Sequence, residues 1–342
     1  MARPLRIAVA GATGALGRAV VDALADHALP AGALRLLASA RSAGAAIPYG
    51  GEDLEVEVAA EGCFRGCDLA ILAVPAETAR ALAPQARAEG CLAVDASAAF
   101  RDDPEVPLVV PEVNADAADL LPRGLAASPC GLGAALPLVL EPLRAAAGLT
   151  RVSVVGVEAV SGAGRPAIDQ LEVEAKALMN GREPPPPSAL PHRIAFNLLP
   201  CAGAVLPGGG SEEEARLAGA VRRVLGAPDL PVAVTVIQAP LFYGHVAAVA
   251  VETGSRLGAV EARELLRRAE GLKLLDAPAK GVYPMPMLGV NDDAVLVGRV
   301  RGDASRENGL ELVLSVDNLR KGGATNLVQI AMLLAGRHLR RE

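Results

Sequence analysis

A glycine-rich turn between an apolar strand and a helix is the feature that most constrains this chain. Residues 5–10 predict a buried strand, Gly11-x-x-Gly14-x-x-Gly17 follows at once, and the next residues predict a helix. Glycines let the main chain approach a pyrophosphate, and a helix N-terminus offers unpaired N–H donors and a favourable dipole. This context favours dinucleotide binding over glycines that serve only the connection. The residues expected at the cofactor are Gly11, Thr13, Gly14, Ala15 and Leu16.

The end of the second predicted strand indicates which dinucleotide is bound. An acidic residue there, about 20 residues past the turn, would bind the ribose 2′-hydroxyl of NAD. This chain instead has Ser39, Arg41 and Ser42, which offer hydroxyl donors and a positive charge for a 2′-phosphate. The sequence therefore favours NADP over NAD, although Arg41 as an ordinary exposed cation is the alternative interpretation.

Apolar runs alternate with helical patterns through the first third of the chain, which predicts a parallel, doubly wound sheet. Further strands are predicted at 34–39, 68–74, 91–97 and 125–129, with helices at 76–89 and 131–147. From residue 151 the sequence pattern changes to long runs rich in β-branched residues, which indicate a mixed or antiparallel sheet with helices on one face. These runs lie at 151–160, 231–238, 245–252 and 311–316, and a helix is predicted at 324–339.

Composition excludes several classes of protein. The 342 residues contain no run of about 18 apolar residues, so we expect no membrane-spanning helix. The formal net charge is −6, with four Phe, three Tyr and no Trp, which argues against a nucleic-acid partner. Because the start leads directly into a strand, we expect a cytoplasmic protein. Five cysteines at scattered positions predict neither a disulfide framework nor a metal site.

Several motifs together resemble the aspartate-semialdehyde dehydrogenase family over nearly the whole chain. They are GATGALG at the turn, LLASARSAG (36–44), AAFRDDPEVPLVVPEVN (98–114), AVSGAG (159–164), IAFNLLP (194–200), FYGH (242–245) and VDNLRKGGATN (316–326). The resemblance implies an α/β fold, with an N-terminal Rossmann-like parallel sheet and a second α+β catalytic and dimerisation domain. The implied domains are 1–130 with 322–342, and 131–321. It also implies a homodimer.

The family reaction implied is an NADP-dependent reductive dephosphorylation of aspartyl phosphate to the aldehyde, in amino-acid biosynthesis. A cysteine thiolate attacks to form a thioacyl enzyme, which hydride then reduces; this needs a thiol of low pKa and an acid/base. Family members carry Asn-Pro-Asn-Cys before the central helix, whereas this chain reads Ser128-Pro129-Cys130-Gly131. Aligned on Pro129, Gly131 occupies the cysteine position and Cys130 lies one residue early. A one-residue step at a helix start turns the side chain by about 100°.

Other family positions are kept or changed selectively. His245 matches the acid/base, and Arg101 is kept as a phosphate-binding candidate. Gln238 replaces the arginine that binds the substrate carboxylate, and a glutamine cannot form a charge-assisted bidentate pair. Glu158 replaces a glutamine and is expected to bring a negative charge. Arg216 replaces a phosphate-binding lysine and keeps its charge.

The positions implied on the cofactor side are kept. Ser161, Gly162 and Asn318 match family cofactor-binding residues, and Lys321 and Gly322 match the nicotinamide side. This selective pattern is similar to that of the Usg-type paralogues, which also lack the aligned cysteine.

We therefore predict an NADP-binding paralogue with weak or lost activity, because Gly131 replaces the nucleophile. An active acyl-phosphate reductase that uses Cys130 and His245 on a small-molecule substrate is the alternative. N-acetylglutamyl-phosphate reductase fits these motifs less well. A purely structural role is opposed by the intact glycine turn.

Overall fold

The computed structural model describes residues 4–26 and 30–339, which fall into two compact units. The first is Met1–Cys130 with Gly323–Glu342, and the second is Gly131–Gly322, so the second boundary lies one residue later than the sequence predicts. The helices are α1 (Ala15–Ala25), α2 (Ala76–Ala88), α3 (Pro111–Asn114), α4 (Leu132–Ala147), α5 (Arg165–Met179), α6 (Glu212–Val224), α7 (Ala259–Arg268), α8 (Pro286–Gly289) and α9 (Thr325–His338). The strands are β1 (Ile7–Ala10), β2 (Leu34–Ala38), β3 (Ala46–Tyr49), β4 (Glu52–Val58), β5 (Leu69–Leu72), β6 (Leu92–Asp95), β7 (Leu125–Ala127), β8 (Leu149–Ala159), β9 (Val232–Ala239), β10 (His245–Thr253), β11 (Leu272–Leu274), β12 (Val295–Gly302) and β13 (Gly309–Val316).

The first unit is built on a seven-stranded sheet in the order β3-β4-β2-β1-β5-β6-β7. Six strands run parallel and only β3 is antiparallel, which confirms the predicted Rossmann-like sheet. All four residues of β1 are buried, as expected for a central strand covered on both faces. The carboxyl ends of β1 and β2 therefore lie side by side at one edge of the sheet.

Helices cover both faces of this sheet. Alternate strand residues such as Ile7, Val9 and Leu36 form one core cluster with buried residues of α1 and α9. Helix α2 packs on β5 and β6, and none of its buried residues belongs to that cluster, because it covers the opposite face. The C-terminal helix α9 thus returns to complete the N-terminal unit.

The second unit contains a six-stranded mixed sheet in the order β11-β12-β13-β10-β8-β9. Strands β8 and β9 are parallel, as are β11 and β12, and the remaining pairs are antiparallel. Of the two arrangements expected from the sequence, the mixed sheet is the one observed. Helix α4 packs on β8, β10 and β13 and is largely buried although it contains two prolines. Its first residue follows Gly131, so the fold brings position 131 to this sheet.

Within residues 4–26 and 30–339, no helix is both long enough and apolar enough to cross a bilayer.

Candidate active site

The glycine turn is shaped by close main-chain contacts at two of its glycines. Gly11 has a φ of +84°, and a Cβ there would lie 2.2 Å from the Ala73 carbonyl oxygen. A Cβ on Gly17 would lie 2.0 Å from the Gly11 carbonyl oxygen. Since carbon and oxygen cannot approach this closely, no larger residue fits either position without movement of the main chain.

The start of α1 is left open for an anion. Gly14 is the N-cap, has no side-chain cap and is exposed, and the first helical turn holds no acidic residue. The first N–H groups of a helix have no acceptor within it, and the helix dipole favours negative charge at this end. Thr13, Ala15 and Leu16 flank Gly14 and are only partly buried. The turn therefore offers main-chain N–H donors and a favourable dipole, which suit a pyrophosphate.

Ser39, Arg41 and Ser42 lie in a turn directly after β2, beside the glycine turn that follows β1. The turn is closed by the Ser42 N–H, which donates to the Ser39 carbonyl oxygen at 2.8 Å. Arg41 and Ser39 are exposed and Ser42 is half-buried, so all three are accessible to a ligand at this edge. Neighbouring parallel strands that end at one edge form the usual dinucleotide site of such folds.

The Cys130 thiol is held by residues of the first unit. Its Sγ lies 2.8 Å from Arg101 Nη2 and donates to the Ala96 carbonyl oxygen at 3.2 Å. The Arg101 guanidinium also donates through Nε to the Ser128 carbonyl oxygen at 3.2 Å. Arg101 is thus a half-buried cation anchored on the main chain, with the thiol against it.

Position 131, one residue later, lies against the candidate acid/base. A Cβ on Gly131 would lie 2.9 Å from Cδ2 and 3.2 Å from Nε2 of His245. Gly162 borders the same ring, because a Cβ there would be 3.3 Å from both Cε1 and Nε2. Gly131 has φ +55° and ψ −126°, which L side chains rarely adopt. A side chain at position 131 would therefore contact the imidazole ring. Because this residue is glycine, no thiol lies beside the ring at this position.

The protonation of His245 follows from its surroundings. The side chain is buried, and its Nδ1 accepts a hydrogen bond from the Ala159 N–H at 3.0 Å. The remaining proton of the neutral ring must then be on Nε2, which faces Gly131 and Gly162. Burial lowers the pKa of His245 to about 4, so the ring is neutral at physiological pH. It can donate a proton from Nε2 to a group bound between the two glycines.

Ser161 and Asn318 meet in the second unit. Asn318 Nδ2 donates to Ser161 Oγ at 3.0 Å, and Asn318 Oδ1 accepts the Gly244 N–H at 3.0 Å. Both side chains are buried, and Ser161 immediately precedes Gly162 beside His245. Lys321, in the short π-helix Arg320–Ala324 that follows, is fully buried. The structure thus brings two predicted cofactor residues of the second unit together around the candidate acid/base.

Glu158 and Gln238 are neighbours in register on the parallel strands β8 and β9. Both are more than nine-tenths buried. Burial, together with the charge of Glu213 and against the opposing effect of Arg216, raises the pKa of Glu158 to about 8. The expectation of a negative charge at Glu158 is therefore wrong for neutral pH, because desolvation keeps the carboxyl group protonated.

Arg216 keeps a positive charge, but acidic neighbours already hold it. Its Nη1 lies 3.0 Å from Glu213 Oε2 and its Nη2 lies 3.2 Å from Glu212 Oε2. An arginine bound to two carboxylates has less charge to offer a phosphate than the sequence alone indicates.

Asp95, at the end of β6, is a functional candidate that the sequence reasoning missed. It is fully buried, Ser97 Oγ donates to its Oδ2 at 2.8 Å, and its Oδ1 has no partner among the described residues. Burial raises the pKa of Asp95. An acidic residue closing an apolar strand was the available signal. No group of three metal-binding side chains occurs in the described ranges.

Comparisons with known proteins match both units of the chain. Residues 6–121 match the family described as semialdehyde dehydrogenase, NAD binding domain, and residues 140–321 match semialdehyde dehydrogenase, dimerisation domain. An aspartate-semialdehyde dehydrogenase of Aquifex aeolicus is 38% identical over 331 residues, which is 96% of this chain and 97% of that protein. One from Bacillus subtilis is 38% identical over 340 residues, which is 97% of each.

A solved structure shows the same likeness in three dimensions. The crystal structure of aspartate semialdehyde dehydrogenase II from Vibrio cholerae superposes with a TM-score of 0.95 at 33% identity. The match covers 98% of this chain and 100% of that one.

Proposed function

Because this chain belongs to the aspartate-semialdehyde dehydrogenase family, we propose that it is an NADP-binding paralogue with weak or no activity of that kind. The observation that carries the proposal is Gly131: a side chain at this position would contact the His245 ring, and glycine provides no thiol there. On this basis we assign the chain to the Usg-type paralogues. We also propose that it is a cytoplasmic homodimer. The matched dimerisation domain supports the homodimer.

The cofactor-binding part of the proposal rests on the first unit. The glycine turn and the open start of α1 fit a pyrophosphate, and Arg41 with its flanking serines fits the 2′-phosphate of NADP. A matched NAD-binding domain supports binding of the dinucleotide itself. When bound, the dinucleotide supplies a hydride acceptor or donor.

The reactive part of the proposal rests on the second unit. His245 holds a proton on Nε2 toward Gly131 and Gly162, so the acid/base remains in place. Without a thiol on residue 131, a bound aldehyde beside the ring meets no covalent nucleophile from that position. Gln238 also removes the charge that would hold a substrate carboxylate. Loss of a nucleophile alone typically costs several orders of magnitude in kcat.

The alternative is an active acyl-phosphate reductase that uses Cys130. It is favoured by the 2.8 Å approach of Arg101 Nη2 to Cys130 Sγ, because a nearby cation stabilises a thiolate. The position of the Cys130 thiol argues against this alternative. The thiol is already bound by Arg101 and by the Ala96 carbonyl oxygen, whereas it is residue 131 that borders the His245 ring. Misplacement of a reacting group by even about 1 Å can cost on the order of 100-fold in rate.

Steady-state formation of NADPH from aspartate semialdehyde, phosphate and NADP separates the two. We expect turnover at least about 1,000-fold below that of a standard family member, and unchanged in Cys130→Ser. Cys201→Ser is the matched control, since Cys201 is a thiol of similar exposure elsewhere in the chain. Strong turnover that is abolished by Cys130→Ser and kept in Cys201→Ser would establish the alternative.

A further inference from the structure

Three polar residues form a row across the second sheet. Glu158 pairs in register with Gln238 on one side, and on the other side the pair Val157 and Val246 places His245 opposite Glu158. Residues that lie opposite each other on adjacent strands project to the same face. A Cβ on Gly156, two residues before Glu158, would lie 2.8 Å from Leu132 Cδ1, so this face is covered by the start of α4.

Glu158 and Gln238 are buried without protein partners. They are 8% and 5% exposed, and neither side chain forms a hydrogen bond to any residue in the described ranges. Their polar atoms nevertheless keep some accessible surface. Among the described residues, Asp95 Oδ1 is the one side-chain polar atom that is both completely inaccessible and without a partner, so the unpaired atoms of Glu158 and Gln238 are not completely inaccessible. Buried polar groups normally have partners. Two unpaired ones side by side indicate a place for a hydrogen-bonding group of a ligand.

The charges around this pair favour a cationic ligand group. Helix α6 packs on β9 and begins with Glu212, Glu213 and Glu214. Glu213 and Arg216 are the α6 charges that act on Glu158, and the Arg216 guanidinium is bound by Glu212 and Glu213. His245 is neutral. Among the described residues, the cation that acts on Glu158 is therefore already bound by two carboxylates, and the start of α6 carries more acidic groups than basic ones.

The acceptors also suit an ammonium group. An ionised Glu158 carboxylate and the Gln238 carbonyl oxygen together accept several N–H bonds, and an ammonium group has three to give. Burial makes Glu158 hold its proton when no ligand is present, and a cation beside it would favour release of that proton. Binding of an amine is then linked to deprotonation of Glu158.

We propose that Glu158 and Gln238 bind the ammonium group of a small ligand that carries no carboxylate beside its amine, such as a 3-amino acyl compound or a 3-aminoaldehyde. This inference rests on the proposed function, since it assigns a ligand class to the same site that the proposal holds unsuited to aspartate semialdehyde. The acyl end of such a ligand extends along the row toward His245.

Three related probes, aspartate, β-alanine and succinate, separate the contributions of the ammonium group and of the carboxylate beside it. β-Alanine is aspartate without the carboxylate beside the amine, and succinate is aspartate without the amine. Calorimetric titration of the full chain, with NADP present, should give affinity for β-alanine roughly tenfold or more above aspartate, with succinate weakest. Equal affinities, no detectable β-alanine binding, or tighter binding of succinate or aspartate would each overturn the proposal.

Two variants locate the effect. Glu158→Gln should weaken β-alanine binding about tenfold or more, and Glu158→Gln with Gln238→Arg should reverse the order in favour of aspartate. Glu261→Gln, an exposed glutamate on α7, is the matched control and should change nothing. NADP titration of each sample verifies folding. If both Glu158 variants still bind β-alanine more tightly than aspartate by the same factor as the wild type, the assignment of the ammonium group to Glu158 and Gln238 is overturned.

The pH dependence gives a second readout. The affinity for β-alanine should rise from about pH 6 to about pH 9 as Glu158 ionises, and the rise should be absent in Glu158→Gln. A fall in affinity over this range would contradict the proposal. Turnover of aspartate semialdehyde is measured separately, so failure of the ligand assignment and failure of the proposed function give different results.

Discussion

The edge of the first sheet and the polar row of the second sheet differ in how far they keep the chemistry of the family. At the first edge, the glycines that the main chain demands and the cation after β2 are all present. In the second, strands and helix are in place, but residues 131, 158 and 238 are glycine, glutamate and glutamine, which the resemblance predicts to be substitutions. The proposed function therefore keeps cofactor binding at the first region and loses the family reaction at the second.

If the proposal holds, the fold of the family is kept while its reaction is lost. A TM-score of 0.95 to a family structure at 33% identity describes the course of the main chain. It is insensitive to whether a thiol sits on residue 130 or 131. Function therefore has to be argued from the side chains of the site, as is general for folds that support several activities.

The largest effect on stability and on cofactor affinity is expected from a substitution in the glycine turn of the first sheet. Gly17→Ala would force a Cβ against the Gly11 carbonyl oxygen, which lies 2.0 Å away. We expect the free energy of unfolding to fall by about 3 kcal/mol and NADP affinity to fall about 100-fold, measured by denaturant titration and by calorimetry. Gly14→Ala is the control, since its φ is −74° and its Cβ would be 3.3 Å from that oxygen. Equal stability of the two variants would refute the packing argument.

The second largest effect concerns His245, which lies in the polar row of the second sheet, and the pH dependence of stability. His245 is buried and neutral in the folded chain, with a pKa of about 4 against 6.5 for a free histidine. Between these values the unfolded chain binds more protons, so stability is lost as the pH falls from 6.5 to 4. The loss attributable to His245 should be roughly 3 kcal/mol. Denaturant titration of wild type and His245→Gln should show the steeper loss in the wild type; parallel curves would contradict it.

The smallest effect sharpens the choice of cofactor. Arg41 is exposed after β2, where it is predicted to contact the 2′-phosphate. Arg41→Ala should weaken NADP binding about tenfold and leave NAD binding unchanged, because NAD has no 2′-phosphate. Arg182→Ala, another exposed arginine, is the control. An equal loss for both dinucleotides would show that Arg41 does not read this group.

Much of the fold could be predicted because local pattern and tertiary structure agree. The glycine turn, the alternating strands and helices of the first unit and the long central helix followed from periodicity alone. The hairpin of β3 and β4 was not predicted, although Ile47 and Tyr49 alternate with exposed residues ahead of Gly50-Gly51. Its short strands and the proline within β3 weakened the signal.

The site was less predictable because it depends on register. The residues of the row are far apart in sequence, and only the pairing of three strands aligns Gln238, Glu158 and His245. The charge of Glu158 could not be read from its residue type, because burial decides it. The contact between position 131 and His245 needed both the positive φ of Gly131 and the place of β10 beside α4.

We propose above all that no thiol lies where the family reaction needs one. A single-turnover experiment with NADP and aspartate semialdehyde, but without phosphate, isolates the formation of the thioacyl enzyme and its hydride transfer. With aspartate semialdehyde in excess over protein, we expect no rapid burst of NADPH on mixing. A burst approaching one NADPH per active site, lost in Cys130→Ser, would contradict it.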